Sequence, residues 1–89
     1  MIIRKQYRFF GQVQGVGFRY QAKYAARYAG VTGWVQNEYD GSVTMQIQGT
    51  PEQISEVLRE IGDGRFIYIE RLEEESILPV ENERGFRVR

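Results

Sequence analysis

Apolar and polar residues alternate from Ile3 to Val13. Ile3, Tyr7, Phe9 and Val13 share one parity, and Arg4, Gln6 and Arg8 share the other. That is the period of a strand buried on one face only. Lys5 and Phe10 break the pattern, which places Lys5 near a strand end and Phe10 on the open face. After Gly15 and Gly17 the period changes. Phe18, Ala22, Ala25 and Ala29 recur at helical spacing, and Gly30 stops the run. So narrow a stripe of alanines predicts a helix lying close to its support. Val31 to Asn37 and Ser42 to Gln48 then read as two strands joined at Asp40-Gly41, a strong hairpin signal. In the second of them Val43, Met45 and Ile47 point one way, and Thr44, Gln46 and Gln48 the other.

Thr50-Pro51-Glu52-Gln53 has the parts of a helix start: a cap, a proline at the first helical position and a glutamine able to close a capping box. Ile54, Val57, Leu58 and Ile61 form its apolar face, and Gly62 and Gly64 end it. A fourth strand is expected within Phe66 to Glu74. Turn character follows from Glu75 to Arg84 around Pro79, and Phe86 and Val88 mark a short last strand. The order is β-α-β-β-α-β. The fold class expected is α+β: a ferredoxin-like sandwich with an antiparallel sheet and two helices on one face. The 89 residues fit a single domain, 1–89, without repeat or linker.

Composition narrows the chemistry. Twelve basic residues balance twelve acidic ones, without the basic excess of a nucleic-acid binder. There is no cysteine and no histidine, so the chain has no thiolate nucleophile, no imidazole base and lacks the commonest metal ligand. Glu73-Glu74-Glu75 is a run of neighbours, read as a solvated strand end and not as a metal cluster. Neither metal nor cofactor is expected. No apolar run has the length of a leader or membrane span, so a cytoplasmic protein without a membrane partner is expected.

The informative segment is Gly11-Gln12-Val13-Gln14-Gly15-Val16-Gly17-Phe18-Arg19. It is a strand end, a glycine-containing loop and a helix start that carries an arginine. Helix N-termini offer unpaired N–H groups and partial positive charge. Glycines let an anion approach the backbone, and phosphate is the natural occupant. Arg19 can add a two-pronged, charged contact. Taken alone the signal is weak, since such glycines are usually turn residues and such arginines usually solvated. Asn37, in Gly33-Trp34-Val35-Gln36-Asn37-Glu38-Tyr39-Asp40-Gly41, has the same two readings: a turn-forming residue, or an amide that holds water near the phosphate.

Both nine-residue segments, in register, resemble the two signatures of the acylphosphatase family. Gly49-Thr50-Pro51 and Gly85-Phe86 also fit, and the resemblance spans essentially the whole chain. It implies that Arg19 binds phosphate and Asn37 orients water, as the catalytic pair. It also implies that the backbone of Gln14, Gly15, Val16, Gly17 and Phe18 cradles the phosphate. Ala22 stands where relatives often carry threonine or a branched apolar residue, and Gly64-Arg65-Phe66 lacks a Gly-Pro pair often seen there. The implied reaction is hydrolysis of the carboxyl–phosphate bond of an acyl phosphate by an oriented water. Inorganic phosphate would be its product and competitive inhibitor, and the enzyme is expected to be a monomer. The alternative is a non-catalytic anion- or RNA-binding module on the same scaffold, with Phe10 and Trp34 as stacking platforms on the open face.

Overall fold

The computed structural model describes all residues from Met1 to Arg89. The chain runs β1 (Ile3–Gln12), α1 (Phe18–Ala29), β2 (Thr32–Asn37), β3 (Val43–Gly49), α2 (Pro51–Gly62), β4 (Tyr68–Ile77) and β5 (Phe86–Val88). The strands form one five-stranded sheet in the order β4-β1-β3-β2-β5. Four strands are antiparallel to their neighbours, but β5 pairs parallel with β2, Trp34 opposite Arg87. The sheet is therefore mixed and not wholly antiparallel. A three-residue strand returning along the free edge of β2 cannot announce its direction by periodicity. No helix is long and apolar enough to cross a membrane.

One face of the sheet carries the core. Tyr7, Phe9, Val13, Val35, Val43, Met45, Ile47 and Phe86 are buried there against Phe18, Ala22 and Ala26 of α1 and Ile54, Val57 and Ile61 of α2. The α1 stripe is rotated slightly from expectation, with Ala26 buried and Ala25 and Ala29 at its flanks. Ala22 and Ala26 have no exposed surface, so methyl groups are all that separates α1 from its neighbours. The capping box of α2 is complete: the Thr50 hydroxyl accepts from the Gln53 N–H, and Gln53 Oε1 accepts from the Thr50 N–H. Gln53 Nε2 also donates to the Ala29 carbonyl, which ties the start of α2 to the end of α1. At Gly33, φ is 145° and a Cβ would collide with the Gln46 carbonyl on β3, so only glycine lets β2 and β3 approach so closely.

β4 is longer than expected, since Glu75, Ser76 and Ile77 continue the ladder down to Arg4 of β1. It is an edge strand with most side chains exposed on either side, so its sequence need not alternate. The open face also departs from expectation. Arg4, of the polar parity, is only 2% exposed. The segment after β4 folds back over this face and places Glu83 on the Arg4 guanidinium in two contacts of 2.7 and 3.1 Å. Gln46 and Gln48 take its remaining N–H groups. Burial alone would raise the Glu83 carboxyl. The bonds from Arg4 and Thr32, with the charges of Arg4 and Arg89, outweigh it and hold Glu83 below its ordinary value.

Candidate active site

The turn between β1 and α1 is shaped by two left-handed glycines, Gly15 (φ 72°) and Gly17 (φ 80°). A Cβ on either would meet nothing within 4 Å, so the space above the loop is open. Gly17 is also the N-cap of α1. It has no side chain to bond the first turn, and no acidic residue stands there. The contrast with α2 is internal to the molecule: α2 closes its N-terminus with Thr50, Gln53 and the acidic Glu52, and α1 does not. No N–H from Gly15 to Tyr20 donates to a backbone or side-chain acceptor, and the first paired amide is Gln21, on the Gly17 carbonyl. The helix dipole adds partial positive charge at the same place.

A hollow of about 170 Å³ lies over this turn, lined by Val13, Gly15, Gly17, Phe18, Arg19, Tyr20 and Asn37. Of the residues singled out in the sequence, Gly15, Gly17, Phe18, Arg19 and Asn37 thus meet at one place. Gln14 and Val16 do not line it. Val16 packs against the core. Gln14 instead sends its amide across to the β2–β3 turn, where Nε2 donates to the carbonyls of Glu38 (2.7 Å) and Ser42 (2.9 Å). The helical groove between Gln21, Tyr24, Tyr28 and Glu60 is larger, about 620 Å³, but it offers a carboxylate and no cation.

Arg19 is held from behind. One terminal nitrogen donates to the main-chain oxygen of Arg89 at 2.8 Å, just past β5. Asn37 is the last residue of β2, exposed, and paired with Val43. The turn beyond it is tightly braced. Glu38 N–H donates to the Ser42 carbonyl at 2.8 Å, and Asp40 accepts from both the N–H and the hydroxyl of Ser42. Arg8 closes the network from β1, donating to Ser42 Oγ and to Asp40, each at 2.9 Å. The Ser42 bonds, with Arg8 nearby, hold the Asp40 carboxyl below its usual value. Bonds from Thr44 and Gln36 lower Glu38 in the same way. Neither acid is therefore a proton donor near neutrality, and both serve the turn. The sequence reading missed this scaffold and the side-chain role of Gln14. Asp40 two residues before Ser42 was a signal, since aspartate bonds its own backbone in this way.

The open-face aromatics are covered by cations: Arg71 lies 4.0 Å and Arg8 5.6 Å from the Phe10 ring centroid, and Arg89 lies 4.2 Å from that of Trp34. Each ring thus already carries a guanidinium over one face, which a base stacking there would have to displace.

The sequence pattern of the Acylphosphatase family matches residues 5–88. An acylphosphatase of Clostridium acetobutylicum is 36% identical over 89 residues, covering 99% of this chain and 98% of the relative. One of Polaromonas naphthalenivorans is 41% identical over 70 residues, 78% of this chain and 69% of the relative. Among solved structures, acylphosphatase from Bacillus subtilis superposes with a TM-score of 0.88 at 26% identity, covering 99% of this chain and 98% of that one. The acylphosphatase of Coxiella burnetii gives 0.87 at 29% identity, with 99% and 93% covered. With its signatures folded around one anion-ready helix start, this chain belongs to the acylphosphatase family, whose members hydrolyse acyl phosphates.

Proposed function

We propose that Arg19 and Asn37 carry this hydrolysis, with the backbone of residues 14–18 as the phosphate cradle. The observation that supports it is the uncapped start of α1, whose free N–H groups share a hollow with Arg19 and Asn37. The phosphoryl group binds against the loop amides and the outward donors of Arg19. Its transition state is loose, with charge spread over the equatorial oxygens, so fixed donors supply most of the catalysis. The leaving group is a carboxylate whose conjugate acid has a pKa of about 4, so it departs without a proton. That suits a site without histidine. Asn37 holds the attacking water in line. Its amide is too weak a base to take the proton, which passes to a phosphate oxygen. Inorganic phosphate, the product, competes for the same loop, and the chain acts as a monomer.

The test is phosphate release from a simple acyl phosphate, with an alkyl phosphate ester as control. Rapid release from the first and none from the second is expected, because the ester's alkoxide needs a general acid that the site lacks. Equal rates on both would overturn the mechanism.

A further inference from the structure

On the sheet face opposite the helices, a hollow of about 330 Å³ lies beside the β2–β5 edge, walled by Trp34, Asn82, Glu83, Arg84, Arg87 and Arg89. Trp34 has the opposite parity to the fully buried Val35, and Arg87 is its partner in the parallel ladder. Arg89 lies over the indole at 4.2 Å. The ion pairs of the molecule engage Arg4, Lys5, Arg8, Arg59 and Arg71, and none engages Arg84, Arg87 or Arg89. The one carboxylate in the hollow, Glu83, is already bound by the buried Arg4. Three arginines thus line one hollow, and its single carboxylate, already paired with Arg4, cannot neutralise them.

The backbone that carries these walls is fixed before any ligand arrives. Glu83 is tied to Arg4, and Val80 exchanges two bonds with the Gln48 side chain, so the segment bearing Arg84 is pinned to the sheet. The Arg89 N–H donates to the Val35 carbonyl at 2.8 Å. Guanidiniums carried on such a fixed backbone can recognise phosphate oxygens in pairs. We propose that this hollow is a second anion site, distinct from the α1 loop and on the other side of the sheet, for a small molecule carrying two or more phosphate groups. A linked pair of phosphates matches three separated cations better than one phosphate does. The site does not depend on the roles given to Arg19 and Asn37.

Trp34 is the only tryptophan, so its emission reports on this hollow. Inorganic pyrophosphate is titrated into the wild-type protein at constant ionic strength, with Trp34 emission separating this hollow from the α1 loop. A saturable change in Trp34 emission is expected, with matching heat in calorimetry. Inorganic triphosphate and a nucleoside triphosphate form two further arms: equal affinity assigns recognition to the phosphates, and a tighter nucleotide adds the base to them. Adding Arg84→Gln and Arg87→Gln should weaken pyrophosphate about tenfold or more, as expected for lost charge-assisted bonds. Both residues are exposed, so the fold should survive, and circular dichroism checks it. Absence of an emission change in the wild-type protein would overturn the site, as would binding that persists unaltered without Arg84 and Arg87.

Discussion

Of the five N–H donors on the Arg19 guanidinium, one is spent on the Arg89 main-chain oxygen and the rest remain for a ligand. That arrangement makes the plane of the group matter as well as its charge. Arg19→Ala is expected to weaken inhibition by phosphate and to remove about 3 kcal/mol or more of transition-state stabilisation. Arg19→Lys keeps the charge but loses the fork, so it should recover little. Phosphate inhibition and kcat measured on both variants decide the matter, and a fully active lysine variant would refute the two-pronged role. Asn37 differs in kind, since it is assigned to water. Asn37→Ala should lower kcat strongly and leave KM nearly unchanged. If the well-folded variant turns over like wild type, Asn37 is only a turn residue. That Arg19 and Asn37 meet at one hollow was legible in the sequence, because each sits inside a local signature. The roles of Gln14 and Arg8 were not: their bonds reach residues 24 to 34 positions away, and no local period encodes such a meeting. Arg4 was misread for the same reason. Its parity pointed to the open face, and only the returning segment with Glu83 turns that face into an interior.

At the scale of elements, the two helices solve one problem differently. Thr50 and Gln53 satisfy the first N–H groups of α2 from within the chain. The start of α1 has no such side-chain cap. Bound phosphate should therefore act on α1 as a cap and stabilise the folded state. At a phosphate concentration 100 times Kd the expected gain is about 2.7 kcal/mol, if only the folded state binds. Thermal unfolding with phosphate against chloride at equal ionic strength measures it. No shift in the wild type, or a shift that survives in Arg19→Ala at full size, would refute binding at this helix start. The helices, β1 and the β2–β3 hairpin were readable because burial on one face imposes a period. The full length of β4 and the direction of β5 were not. One is exposed nearly throughout and the other spans three residues, so neither carries a period long enough to read.

For the molecule as a whole, the Arg4–Glu83 pair fastens the segment after β4 to the open face, and it makes stability depend on pH. The folded-state pKa of Glu83 lies below its unfolded value. Its contribution is therefore fully present above the ordinary carboxylate range and is lost as pH falls through the folded value. Glu83→Gln leaves Arg4 buried without its counter-charge and should cost roughly 3 kcal/mol at pH 7. That is the low end for a broken buried pair, because Glu83 keeps some contact with water. Urea unfolding at pH 7 and pH 3 should show the two proteins converging in acid. A gap that persists undiminished at pH 3 would mean that the carboxylate charge is not what Arg4 requires.

The long outer strand has a consequence for how copies of this protein behave in a crowd. β4 ends the sheet, and its far side carries unpaired N–H and C=O groups along ten residues. Such an edge is a template on which another strand can dock and a fibril can grow. Glu70, Glu73, Glu74 and Glu75 line it, so a second copy arriving edge to edge meets its own charge. The run of glutamates that looked chemically idle in the sequence is therefore expected to oppose polymerisation. Replacing Glu73 and Glu75 by glutamine should leave catalysis intact and shorten the lag before amyloid-dye fluorescence rises at neutral pH. An unchanged lag would show that the shape of the strand, and not its charge, keeps the sheet from growing.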